Sequence, residues 1–201
     1  MNAINHDIFQ PTIHYGANEL LVLWAFGHLI ELEPDFKRPS KKFDKSYKGE
    51  YDLYLDWTDD KGKQHYIKIE VKASRANDRQ RKEEPLIIKA IASDSKRPFL
   101  MNFQQQKPKC CDVFIWIAVY RDQIKYWVIH SNEVQTNQYL TPQHRNALTA
   151  KRKKGYKKED IYEGQIMVTD ENISYFDKYL TTGKQLREAA IAQYKIQQKI
   201  K

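Results

Sequence analysis

The sequence predicts an α/β fold, a central mixed β-sheet flanked by α-helices, in one domain over residues 1–201. Three observations predict it. Tyr51 to Ser74, YDLYLDWTDDKGKQHYIKIEVKAS, alternates apolar and polar residues on both sides of an Asp-Lys-Gly turn, as a half-buried hairpin does. Asp112 to Tyr120, DVFIWIAVY, is almost continuously apolar, the pattern of a strand buried on both faces. Helical patterning at Ala17 to Leu32 and Lys184 to Ile200 brackets these strands in the chain.

Taken in order, ANELLVLWAFGHLIEL (Ala17 to Leu32) is apolar around most of its circumference and predicts a largely buried helix capped by Asn18. Glu19 falls in its first turn, where the helix dipole favours an anion by about 0.3 to 1 kcal/mol. Pro34-Asp35 ends the helix. Asp35 to Gly49, DFKRPSKKFDKSYKG, reads as a basic linker, either solvated or in contact with a polyanion. Beyond the hairpin (51–74), Arg75 to Glu84, RANDRQRKEE, is too polar for core. PLIIKAIAS, within Pro85 to Phe103, fits a helix or a strand. After the buried strand, Arg121-Asp-Gln123 turns into an alternating strand, Ile124 to His130. Gln143 to Tyr156, QHRNALTAKRKKGY, is the densest basic cluster. Gln165 to Thr169 reads as a short strand, and Thr169 caps a helix with Asp170 and Glu171 in its first turn, opening a helical C-terminal part over 170–201. Gly183 breaks that helix, and the final one places Leu186, Ala190 and Tyr194 near one face, for the core or for a second subunit.

The hairpin carries the chemistry. Alternation puts Tyr51, Leu53, Leu55 and Trp57 on one face and Asp52, Tyr54 and Asp56 on the other; on the partner strand, Ile67, Ile69, Val71 and Ala73 oppose Lys68, Glu70, Lys72 and Ser74. A three-residue loop, Asp60-Lys61-Gly62, ending in a glycine with positive φ pairs Asp59 with Lys63 and sets Asp52 opposite Glu70. A one-residue slip would set polar against apolar positions. Two carboxylates about 4 Å apart repel by roughly 4 kcal/mol at an effective dielectric near 20. A divalent cation that takes few protein oxygens and several waters, magnesium or manganese, would offset that repulsion. Lys72, on the same face, could then orient or deprotonate an attacking water, a layout for hydrolysing a phosphodiester. Acid-x-Lys also occurs at Asp35-Phe-Lys37, Asp59-Asp-Lys61 and Asp94-Ser-Lys96, but only Glu70-Val-Lys72 lies in an alternating strand with an acid opposite. The plainer reading of the same residues is a cross-strand ion pair worth about 0.2 to 1 kcal/mol. Asp56, further along the face, is the alternative first acid.

With Asp52 and Glu70-Val71-Lys72 at the end of an apolar strand, the hairpin resembles the PD-(D/E)XK nuclease motif, Tyr51 standing in place of the family's proline. Phe103-Gln-Gln-Gln-Lys-Pro108, followed by Cys111-Asp112-Val-Phe-Ile-Trp-Ile117, is similar to a segment recurring in type II restriction endonucleases. Leu140-Thr-Pro-Gln-His144, leading to Glu163-Gly-Gln-Ile-Met-Val168, resembles the downstream part of the same enzymes. The resemblance implies a restriction-endonuclease-like core and a magnesium-dependent endonuclease, with manganese able to substitute. Such an enzyme cuts double-stranded DNA at a specific sequence and leaves 5′-phosphates. Asp52, Glu70 and Lys72 would be catalytic. Asp52, Glu70, the carbonyl of Val71 and Glu19 of the first helix would hold the metal. DNA contacts would come from Ser74, Arg75, Arg79 and Arg81, from Gln105 and Lys107, and from His144, Arg145, Lys151, Arg152, Lys153 and Lys154, where a loop or solvated role is the competing reading. A homodimer and a cognate DNA methyltransferase encoded nearby follow by analogy. Two rivals fit the same residues: a structure-selective repair nuclease of the Holliday-junction-resolvase kind, and a non-catalytic basic nucleic-acid-binding module.

Composition agrees without deciding. Lys and Arg total 34 against 26 acids, a net +8 that suits a polyanionic partner without requiring one. An aromatic content of 12% argues against a disordered basic tail. The only cysteines, Cys110 and Cys111, are adjacent, which disfavours a disulfide and points to a reducing cytoplasm, a prokaryotic one by what the resemblance implies. The start of the chain, MNAINHDIFQ, has no signal-peptide pattern, and no apolar stretch reaches transmembrane length, so no membrane association is expected.

Overall fold

In the computed structural model, residues 17–143 and 161–200 are described. The fold is α/β. A six-stranded mixed sheet runs in the order β1 (Phe36–Lys37), β2 (Leu53–Thr58), β3 (Gln64–Arg75), β6 (Val113–Val119), β7 (Ile124–His130), β10 (Leu180–Thr181). A second, antiparallel sheet has the order β4 (Asn77–Asp78), β5 (Phe99–Gln106), β9 (Gly164–Thr169), β8 (Leu140–Pro142). The helices are α1 (Ala17–Leu32), the short α2 (Leu86–Lys89) and α3 (Ser131–Thr136), and α4 (Leu186–Ile200). Among the described residues no helix is long and apolar enough to cross a membrane.

The β2–β3 hairpin has the register expected from its turn. Leu53 faces Ile69 and Leu55 faces Ile67. The Asp59 N–H donates to the Lys63 carbonyl at 2.9 Å, and Gly62 takes φ +78°, the left-handed region that costs glycine least. Strand β3 then runs parallel to β6 from Ile69 to Arg75. Asp112 fastens the start of that pairing, its N–H donating to the Lys68 carbonyl at 2.8 Å while its carboxylate accepts the Lys68 N–H at 3.1 Å. Because the pairing of β3 with β2 ends at Ile69 whereas that with β6 runs on to Arg75, no strand among the described residues pairs with the other edge of the second half of β3.

Two cores sandwich the central sheet. On one face Leu53, Leu55, Ile67, Ile69 and Val71 pack with alternate residues of β6 under Leu21, Ala25 and Leu29 of α1 and Leu186, Ala190 and Tyr194 of α4. On the other, Phe114, Trp116, Trp127 and Ile129 meet Met101, Phe103, Ile166 and Val168 of the second sheet. Strand β6 is buried at every position, as its unbroken apolar run requires. At the hairpin's far end the His65 ring lies between the Asp59 carboxylate (2.9 Å) and the Tyr194 hydroxyl of α4 (3.3 Å), stacked on Trp57 with ring centroids 4.9 Å apart.

Several expectations need correcting. Tyr51 does not share a face with Leu53. The chain bends at Asp52 before β2 begins, so alternation breaks and Tyr51 packs into the second core. Arg75 to Glu84 is not wholly surface: Arg75, Ala76 and Asp78 are buried, Asp78 because Arg81 (3.7 Å) and Arg97 (3.3 Å) reach its carboxylate. The stretch from Asp35 to Gly49 is more than a polar linker. It contributes β1, with Phe36 buried, and Phe43 stacks on Tyr54 at 3.9 Å. Thr169 starts no α-helix. Its hydroxyl accepts the Glu171 N–H at 3.3 Å, and a 3-10 helix, Ile173–Tyr179, begins only after Asn172.

Candidate active site

The site lies where β2 ends beside β3. Glu70 and Lys72 share the face of β3 that looks toward the second sheet, and Lys72 Nζ donates to Glu70 Oε1 at 2.5 Å. The regular register ends at Leu53–Ile69; Asp52 lies one residue beyond it, at the bend, with its N–H bonded to the Ile69 carbonyl at 3.0 Å. Its carboxylate turns along the strand edge and accepts the Val71 N–H at 2.8 Å. A strand residue points its N–H and C=O to the same edge. The Val71 carbonyl therefore lies on the edge that Asp52 caps.

Glu70 is only 5% exposed. Burial lifts its carboxyl from 4.5 to about 7; the Lys72 amine opposes the rise, and the Asp52 carboxylate adds to it through its charge and a carboxyl–carboxyl hydrogen bond. The two acids are thus brought together, and their repulsion is offset by Lys72 and by a proton favoured on Glu70. Tyr47 and Tyr51 wall the pair, the Tyr47 hydroxyl donating to the Tyr51 carbonyl at 3.0 Å. Asp56 does not join them. It faces Tyr66, pairs with Lys37 at 3.4 Å, and stands four strand positions from Asp52, roughly 13 Å at 3.3 Å per residue.

Along the uncovered edge of β3 opens a cleft of about 800 Å³ between the two sheets. Lys72, Arg75, Arg79, Lys82 and Lys89 line it with Asp78 as the sole carboxylate among the described residues, and Asn77, Asn102, Gln104 and Gln105 supply amides. Burial draws the Arg75 guanidinium down to about 10.

The expected nucleic-acid contacts divide. Arg75, Arg79 and Gln105 line the cleft with Lys72. Ser74 does too, but its Oγ is engaged by the Asn102 N–H at 2.9 Å and holds β3 to β5. Arg79 is paired with Asp170 (3.8 Å) and Glu171 (3.5 Å), and Arg81 with Asp78, so neither is the free cation that the polar run suggested. Lys107 sits apart from the cleft, at the head of the Pro108–Cys110 turn. His144, Arg145, Lys151, Arg152, Lys153 and Lys154 lie outside the described residues. Glu19 is in α1, two residues before the cleft residue Leu21, and its side chain is likewise outside them. Lys82, Lys89 and Asn102 are cleft residues that sequence reasoning missed. Only the fold shows them to be neighbours, since they come from segments far apart in the chain.

The chain matches no protein-family model, no curated protein and no solved structure.

Among the described residues no three His, Cys, Asp or Glu side chains cluster as a metal site. The donors at hand are two carboxylates and the adjoining Val71 carbonyl, all hard oxygens. That set suits an ion that keeps much of its hydration, as magnesium does. A carboxyl that burial holds partly protonated is also one from which a cation can displace the proton.

Proposed function

We propose that this protein is a magnesium-dependent endonuclease of the PD-(D/E)XK, type II restriction kind, acting on double-stranded DNA, with manganese able to replace magnesium. One observation carries the reading: Asp52, Glu70 and Lys72 converge beside a cleft whose charged lining, among the described residues, is five cations and one carboxylate. The order of elements also fits a restriction-endonuclease-like core, with a helix, an antiparallel hairpin bearing the acids, and a buried strand added in parallel.

Asp52, Glu70 and the Val71 carbonyl would hold the ion. When bound, the cation would supply Lewis-acid neutralisation of the phosphate's charge. The remaining work falls to the chain. Arg75, Lys82 and Lys89 draw the phosphates into the cleft, and Lys72 Nζ, steadied by Glu70, positions the water that attacks phosphorus. Breaking the P–O3′ bond leaves a 5′-phosphate and a 3′-hydroxyl. Palindromic cutting would call for a two-fold dimer, and a restriction role for a partner methyltransferase in the same cell.

The test incubates the protein with plasmid and with branched DNA, in magnesium and in chelator. Discrete plasmid fragments only in magnesium, lost in Lys72→Ala with DNA binding retained, are the expected result. Branch-selective cutting would favour a junction nuclease. Salt-sensitive binding without cutting would leave a binding module whose acids form only an ion pair.

A further inference from the structure

The segment Gln104-Gln105-Gln106 divides its three identical side chains between two environments. Between Phe103, opposite Ile166, and Gln106, opposite Gly164, strand β5 has two residues where β9 has only Gln165. This is a β-bulge, a device that re-aims side chains. Without it Gln105 would point inward. With it Gln104 and Gln105 are both exposed into the cleft, while Phe103 and Gln106 are both buried. Gln106 anchors the inner side, accepting the Trp116 indole N–H at 3.3 Å and donating to the Phe103 carbonyl at 3.2 Å. Gln105 has φ +53°, the one positive value outside glycine among the described residues, and its N–H is held by the Gln143 side chain at 2.7 Å. Across the ladder, Gly164 leaves no room for a side chain, since a Cβ there would lie 2.6 Å from Leu140 Cδ1.

The fold therefore maintains a strained non-glycine residue in order to present two adjacent amides on the wall opposite Lys72. Phosphate oxygens only accept hydrogen bonds, and the cleft already has cations for them. A carboxamide offers a donor and an acceptor side by side, the complement of the N7 and N6 edge of adenine in the major groove. We propose that Gln104 and Gln105 are specificity-determining residues that read the adenine of an A·T pair in DNA held by the cleft. The inference rests on the nuclease reading above.

The test digests a randomised duplex pool in magnesium and sequences the cut ends, with wild type, Gln104→Ala and Gln105→Gly. Glycine tolerates the backbone angle at position 105 and removes the side chain with its amide, and thermal unfolding checks that each variant is folded. The wild type should yield a motif with at least one fixed A·T position. In the variants, discrimination there should fall roughly 5- to 150-fold, with the other positions unchanged. A wild-type motif that both variants reproduce in full overturns the base-reading role. Cutting by the wild type without any motif overturns it and the restriction specificity together, while leaving magnesium-dependent DNA cleavage intact. No cutting of any DNA by the wild type removes both.

Discussion

Replacing Glu70 by Gln should change how the stability of the protein depends on pH. The native carboxyl is raised from 4.5 to about 7, chiefly by burial. Between those values the folded state binds more protons than the unfolded one, so stability falls as pH rises through the window and is level on either side. At about 1.4 kcal/mol for each pH unit, the loss amounts to about 3 kcal/mol, and the 5% exposure of Glu70 leaves little solvent to screen it. Glutamine does not titrate, so the variant lacks this slope. Urea unfolding followed by circular dichroism, in chelator at about pH 5 and about pH 8, measures both proteins, and the difference between their slopes isolates residue 70 from other titrating groups. Parallel pH dependences would refute the claim that a buried, proton-retaining carboxyl sits beside Lys72. Magnesium added at the higher pH should stabilise the wild type and leave the variant unchanged, because a ligand stabilises only the state that binds it.

Removing Lys82 and Lys89 together should lower the slope of log K against log salt for duplex binding by about 1.8, at about 0.9 for each phosphate no longer neutralised. Fluorescence anisotropy over a salt series reads the slope, and an unchanged one would exclude these lysines as phosphate contacts. Gly164→Ala forces a Cβ to within 2.6 Å of Leu140 Cδ1 and 2.8 Å of the Thr141 carbonyl oxygen. The overpacking should cost about 1 to 3 kcal/mol, lowering Tm by roughly 2–4 °C for each kcal/mol. Scanning calorimetry checks this, and a Tm equal to that of the wild type would show that β8 can yield.

What the sequence made legible was local. The parity of the hairpin and the position of Gly62 were enough to bring Asp52 to Glu70, because a one-residue slip would have turned Leu53, Leu55, Ile67 and Ile69 out of the core. The unbroken apolar run gave β6, and the spacing of Leu186, Ala190 and Tyr194 gave the inner face of α4. What stayed hidden depended on distant partners. The run Arg75 to Asp78 looks exposed until Arg97 and the sheet edge at Phe99 are brought beside it. The cleft exists because β5 pairs with β9, some sixty positions further along the chain, and no periodicity encodes that pairing. Nothing in three consecutive glutamines tells which two face the cleft and which one meets Trp116. The bend at Asp52 was equally silent: a free carboxylate at a strand end can take the next unpaired N–H, and Asp52 does so at Val71 instead of extending the pleat.

The bridge from Asp59 through His65 to Tyr194 ties the first half of the chain to its last helix. Lys195, the next residue of that helix, sits 4.8 Å over the Trp57 ring. The C-terminal helix thus grips the tip of the lever whose fulcrum holds the two acids. A tag, truncation or binding partner at this helix would be felt at the candidate site through that lever, without touching the cleft.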